Sequence, residues 1–391
     1  MDSDRIVKVG TVIIVTAALV ILSFVAAPYI MGIFESTDEL TTVGYTSETV
    51  RAEVLSIQEE GYTTVGKQEQ IYQIVEIEIM EGEFKHSHMF LEFGKNQVMP
   101  EEYILKPGNE ILVNVGISPL DNTTSAFFID FMRGKALVWI FLLFAIITFI
   151  IGSWTGLRSL LGIVVGMCVI VLFIIPQIAN GANPVVTSII GSAVFLTVSL
   201  YLVYGWRAMT HSAVISMMLS LILTGGISIF VVKLARLTGF GNENMMFLIQ
   251  QSENPIDMRG ILLAGIIIGS LGVLDDLVVG QSSAVFQLSD ANADLNFQDL
   301  FQRAMTIGRD HAAASVNTLV LAYAGESLPM LLLFHVTNVN LGMAINVSFI
   351  AEEIVRALAG TIGLFLSIPI STAMACLWVL RKTDRTETEK M

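Results

Sequence analysis

Charge is what this 391-residue sequence has least of. Only 14% of its residues are Asp, Glu, Lys or Arg, against 54% hydrophobic, and its mean hydropathy is +0.71. A soluble domain carries about a quarter charged residues, so a soluble globular protein is excluded. The apolar tracts are too many and too long for a signal peptide ahead of a soluble domain. Cysteine is nearly absent: Cys168 and Cys376 both fall in apolar tracts, which excludes a disulfide framework and a cysteine metal centre. Basic charge is also scarce, and a net charge of −14 argues against a nucleic-acid partner. No phosphate-cradling Walker loop occurs, so any energy from ATP comes through a partner. There is no His-Glu-x-x-His metalloprotease motif. The Gly-x-Gly-Asp signature of intramembrane aspartyl proteases is missing too, because Gly272-Val273-Leu274 precede Asp275. The chain is therefore expected not to be an enzyme and to carry no cofactor and no metal.

What is present is a succession of apolar tracts, each near the ~20 residues needed to cross the hydrocarbon core. They fall at about 8–30, 136–154, 157–176, 185–205, 210–233, 259–280, 312–335 and 354–380. The expected fold class is a mainly α, polytopic membrane protein of about eight transmembrane helices. Trp139, Trp154, Trp206 and Trp378 stand at or near span ends, where interfacial aromatics belong. Eight crossings put both termini on one side. The head (Arg5, Lys8), Arg158, Arg207, Arg303, Arg309 and the tail (Arg381, Lys382, Arg385, Lys390) then share that face. By the positive-inside rule it is the cytoplasm.

The expected domains are a head with the first span (1–35), a soluble segment (36–132), a seven-helix membrane domain (133–380) and a cytoplasmic tail (381–391). In the soluble segment, alternating runs at 50–57, 72–79, 89–93, 110–117 and 126–131 are broken by Gly61, Gly82, Gly94 and Pro107-Gly108. Five short strands of this kind predict a small β-barrel-like, OB-like domain outside the membrane. His86 and His88 lie on one face of a strand, a solvated edge more readily than a metal site.

The sixth tract carries the chemistry. Gly265, Gly269, Gly272, Asp276 and Gly280 fall within an arc of about 80° at 100° per residue, so close-packing positions and a carboxylate share one stripe. Asp275 points about 100° away. A carboxylate near the centre of a membrane helix costs about 2.5–3.5 kcal/mol on insertion scales, so an adjacent pair is expected to be functional. The stripe serves either a subunit contact or packing within the chain against the fifth or seventh span.

Residues 281–311 read as a polar connection whose second half, about 295–308, is an amphipathic surface helix with Phe297, Leu300, Phe301 and Ala304 on one side. It leads into Gly308-Arg309-Asp310-His311 at the entrance of the seventh span. There His311, Ser315, Thr318, Ala322 and Glu326 again share a face, and Glu326 stands about 22 Å along the helix from His311, just before Pro329. Arg309 is either the countercharge of the aspartates or a positive-inside anchor. The proton-relay or transport set is thus Asp275, Asp276, Arg309, Asp310, His311 and Glu326, with Gly265, Gly269 and Gly272 for helix packing. Glu352 and Arg356, four apart, are expected to pair.

Residues 274–288, Gly308-Arg309-Asp310-His311, the run 317–325 and the run 350–356 resemble the YibE/F-like family of bacterial multi-span membrane proteins, over roughly 130–380. That resemblance implies a permease-like membrane protein in the bacterial cytoplasmic membrane. More distantly, Gly205-Trp206-Arg207-Ala208, the run from Gly269 to Asp275-Asp276 and the amphipathic helix resemble the core of the resistance–nodulation–division permeases. In that superfamily transmembrane aspartates relay protons and an extracytoplasmic domain follows the first span. Two departures stand out: one such half is present instead of two, and two spans separate the soluble segment from the matched helices. The expected function is a proton-coupled transporter or transporter subunit, and the alternative is a non-transporting scaffold or assembly factor. Expected partners are the lipid bilayer, a small solute or ion, and a second copy or a related membrane subunit.

Overall fold

The structure, a computed structural model, describes residues 46–65, 68–95, 103–117, 124–241, 243–252 and 254–388. The expected first span at 8–30 and the end of the tail lie outside the described residues. Contacts divide the chain into two units, one reaching residue 148 and the other running on from Phe149.

The first unit is built on five antiparallel strands: β1 (Thr46–Val65), β2 (Gln68–Ile79), β3 (His88–Phe93), β4 (Glu110–Ile117) and β5 (Thr124–Phe131). They pair in the order β3-β2-β1-β4-β5. The five alternating runs of the sequence are these five strands. Alternation puts Val50, Ala52, Val54, Val75, Ile77, Ile79, Ile111, Val113 and Val115 on one buried face. β1 is much longer than its apolar run. Its first half pairs with β4 and its second half with β2, with register shifts near Ser56 and Glu59 that bend it between partners.

No ladder joins β3 to β5 among the described residues, so the pairing is that of a sheet with two edges, where a barrel was expected. The Phe93 and Phe128 rings, 4.8 Å apart and edge to face, bring those edges together. Inside, the Gln73 side chain donates to the Leu105 carbonyl and accepts from the Leu105 N–H, replacing a missing strand partner for that buried loop residue.

His86 and His88 bind no metal-like cluster among the described residues. Each rests on a carboxylate instead, with Nδ1 3.0 Å from Glu78 Oε1 and Glu76 Oε1 respectively. The His88 hydrogen bond, with a smaller one from Ser56, holds the Glu76 carboxyl below its ordinary value. A depressed folded-state value means that Glu76 contributes stability above the unfolded pKa and loses it as the pH falls through the folded one.

The helices follow, the first of them beginning in the first unit and the rest of the chain from Phe149 belonging to the second. A single apolar run, Gly134–Ala179, comprises α1 (Gly134–Val169), a π-helical turn (Ile170–Ile174) and α2 (Ile175–Ala179). Then follow α3 (Pro184–Tyr204), α4 (Ala208–Leu234), α5 (Glu243–Gln251), α6 (Met258–Ala291), α7 (Phe297–Glu326), α8 (Leu328–Val336), α9 (Leu341–Ala344) and α10 (Ser348–Thr388). Among the described residues five helices are long and apolar enough to cross a membrane. The pair α7 and α8, bent by 57°, makes a sixth if counted as one span. The expected second and third spans both lie in the run Gly134–Ala179 and are parted at Ser153, where the backbone leaves helical geometry (φ 50°, ψ −138°).

Small residues set the helix contacts. Ser212, Ser216, Ser220, Thr224 and Ser228 recur every four residues on α4 and are all buried. Ser216, Thr224 and Ser228 return their hydroxyl hydrogens to carbonyls one turn back, at 2.7–2.8 Å. This row meets α10, where Gly363 has no room for a Cβ beside Thr224.

Two outcomes are expected for a fragment of residues 46–132. It should give strand-type circular dichroism, a helical or unordered spectrum being the contrary result. In the same fragment His88→Ala should move the Glu76 titration, followed by carboxyl NMR, back up toward its ordinary value; an unmoved titration would deny the pairing.

Candidate functional site

The region around the aspartate pair is held by three helices. α6 does not end where its apolar tract ends but continues as a helix to Ala291. α7 begins at Phe297, with Asn296 capping it by accepting from the Asp299 N–H at 2.9 Å, and runs unbroken to Glu326. The expected polar connection over 281–311 is therefore mostly helix. Gly308-Arg309-Asp310-His311 sits inside α7, with helix on both sides of it.

The reason is packing. Gly308 is buried where a Cβ would lie 2.6 Å from the Ile368 side chain and 2.8 Å from Gln281 Oε1, so it serves close helix approach in place of a break. Gln281, also buried, donates from Nε2 to the Ala304 carbonyl (2.8 Å) and to Thr372 Oγ1 (2.7 Å), tying α6, α7 and α10 together. The apolar face of the amphipathic segment, Leu300 and Ala304, packs on Val285, Ala375, Cys376 and Val379, so it covers protein.

The aspartates stand beside that frame. Asp275 is half-buried and its Oδ1, shielded from solvent, has no hydrogen-bond partner. Tyr204, at the end of α3, lies within electrostatic reach of both Asp275 and Asp276. Asp276 is exposed on the stripe with Gly265, Gly269 and Gly272. At all three glycines a Cβ would meet nothing within 4 Å, so this part of the stripe is open, and the stripe meets the seventh span only at Gly280 among the described residues. One turn beyond Asp276, the His311 ring rests on Gly280, its Cε1 3.5 Å from where a Cβ would stand. Val273 and Leu277 meet Ala312 and Leu319 along the same seam. His311 is thereby placed beside the aspartate stripe.

Arg309 and Asp310 are exposed, and no ion pair joins Arg309 to either aspartate among the described residues. Glu326 is exposed at the end of α7, where Ser327 and Pro329 begin the bend into α8. It is not isolated: Tyr323 lies within electrostatic reach of Glu326, Glu353 and Arg356. The expected Glu352–Arg356 pair is replaced by Glu353–Arg356, three apart, at 2.7 Å. Glu352, only 6% exposed, instead accepts from the Gly239 and Gly241 N–H groups at 3.1 and 3.2 Å, with Arg356 in electrostatic reach but no ion pair to it. Tyr204, Tyr323 and Gln281 escaped the sequence reading. Only the 353–356 spacing carried a signal, since the others depend on which helices become neighbours.

Several long apolar helices, one of which carries an aspartate pair and another exposed polar side chains, define a multi-span membrane protein. The family model described as YibE/F-like protein matches residues 140–381, more than half of the sequence, and the chain belongs to that family. No curated protein and no solved structure matches, so the likeness to resistance–nodulation–division permeases gains no support from them.

Gly308→Leu should overpack the α6–α7–α10 contact by about 1–3 kcal/mol. A clearly lowered midpoint in thermal unfolding of the purified protein would register it; an unchanged midpoint would deny the contact.

Proposed function

We propose that this chain is the membrane subunit of a proton-coupled transporter, with Asp275 and Asp276 as the proton-carrying pair. The observation that carries the reading is an unpaired carboxylate pair on a long apolar helix. One oxygen is shielded and unpartnered, and the other carboxylate stands on a bare glycine stripe. Ionisable groups at such depth are expensive unless they bind and release a proton or ion. His311 on Gly280 extends the path along the α6–α7 seam, and Glu326 with Glu353 and Arg356 forms a charged station at the other end of α7.

In this reading the run Gly134–Ala179 makes two crossings and α7 with α8 one. With the tract at 8–30 the crossings number eight, the termini are cytoplasmic and the sheet unit is outside the bacterial cytoplasmic membrane. The exposed polar residues of α7, Thr318 and Glu326 on one side and Arg309, Asp310 and Asn317 on others, need water or protein beside them in a bilayer. A second copy, or a related subunit, supplies that cover and packs on the open glycine stripe.

Asp276→Asn should abolish solute movement driven by an imposed proton gradient in proteoliposomes, with the same amount of protein inserted. Full activity of that variant would end the relay reading, and a scaffold would tolerate the change. Mass measurement of the particle in lipid nanodiscs should find at least two copies of the core; a monomer active alone in liposomes would overturn the paired arrangement.

A further inference from the structure

The segment before α3 departs from regular helix for a definite reason. Pro176 has no N–H to give the Leu172 carbonyl, and its ring crowds that carbonyl. The chain takes up the mismatch as the π-helical turn Ile170–Ile174, closed by the Ile175 N–H on the Ile170 carbonyl. Two glycines then let this wide turn and α1 sit against α3. A Cβ at Gly166 would lie 2.8 Å from the Phe195 ring, and one at Gly191 would lie 2.5 Å from the Ile174 side chain. Between the turn, α3 and α6 remains a cleft of about 220 Å³, walled by residues such as Met167, Ile174, Phe195, Ile268 and Leu271. On its α6 side is Gly272, where a Cβ would meet nothing.

One polar side chain belongs to the wall. Ser192 is 1% exposed and its hydroxyl has no hydrogen-bond partner; Ser188, one turn earlier and fully buried, shares the same deficit. The lining residues include no carboxylate or cation, which excludes a charged ligand. Apolar cavities of about 150 Å³ stay dry and admit a benzene-sized molecule, so this one has room for a chain or ring on the order of eight carbons. A serine hydroxyl both donates and accepts, and one χ1 rotation re-aims it.

We propose that this cleft binds a small uncharged amphiphile, mostly hydrocarbon with a single hydroxyl or carbonyl, taken from the bilayer, with Ser192 as its polar contact. Gly272 lies one turn, about 6 Å, before Asp276, so the bound molecule sits next to the carboxylate pair. Its role as transport substrate rests on the transporter reading; its binding does not.

The test uses the full-length protein in lipid nanodiscs and a photoreactive diazirine derivative of 1-octanol, with labelled peptides mapped by mass spectrometry. Labelling should concentrate on 163–174, 191–195 and 268–272 and saturate under competition by 1-octanol. Gly272→Leu, which fills the cleft, should remove most of it, while Gly265→Leu on the same stripe outside the cleft should leave it intact. Ser192→Ala should weaken competition by 1-octanol roughly three- to tenfold and leave competition by n-octane unchanged. Labelling spread evenly over all apolar helices, or equally sensitive to both leucine variants, would overturn the site. An unchanged octanol competition in Ser192→Ala would overturn the polar contact. A disulfide formed between Gly272→Cys and a cysteine placed within residues 8–30 would show that the chain itself fills the cleft, and would also overturn the proposal. Site-confined labelling in a protein that moves no solute would leave the binding site standing and remove the transporter reading.

Discussion

In hydrocarbon a polar group has no water to fall back on, and the helical unit is organised around that constraint. Most of its polar side chains are answered within the fold. The α4 hydroxyls at Ser216, Thr224 and Ser228 bond to carbonyls of their own helix, and Gln281 joins three helices through one amide. Glu352 is satisfied by two backbone N–H groups, and one oxygen of Glu353 by Arg356. Thr210, Ser212, Ser220 and Ser282 keep buried hydroxyls without a hydrogen-bond partner among the described residues. Three further places stay unanswered: Asp275 with its shielded oxygen, Ser188 and Ser192 near the cleft, and the exposed polar side chains of α7. Each marks a place where a proton, a ligand or another subunit completes the structure in the functional reading.

Glycine plays two opposite roles in these helices. At Gly166, Gly191, Gly308 and Gly363 the missing Cβ is what lets a neighbouring helix touch, and any side chain would collide. At Gly265, Gly269 and Gly272 the missing Cβ leaves open space. The first group holds the bundle together, and the second keeps one face of α6 thin beside its carboxylates. Both kinds look alike as letters in a small-residue pattern, because the difference lies entirely in what stands opposite.

The sheet unit obeys a different rule. Water is available on its outer face, so alternation alone specifies which residues turn inward, and charged residues such as Glu76 and Glu110 are held by His88 and Lys135 at the rim. These contacts lower both carboxyl pKa values, His88 acting first on Glu76 and Lys135 on Glu110.

The sequence by itself determined the membrane class, the positions of the apolar tracts, the five strands and the family. All of these follow from hydropathy and period, which are local properties of the chain. It also singled out Asp275 and Asp276, since two adjacent carboxylates in an apolar run are conspicuous wherever the helix packs. The tertiary structure alone decided that α6 and α7 continue as helices through the polar stretch, where Gln281 and Gly308 meet Ile368 and Thr372 of a distant helix. It likewise decided that Glu353, not Glu352, holds Arg356, because the loop at Gly239 and Gly241 claims the other carboxylate first. The cleft beside Gly272 belongs to the same class of fact: its walls come from 163–174, 191–195 and 268–272, and no local pattern records which faces will be neighbours.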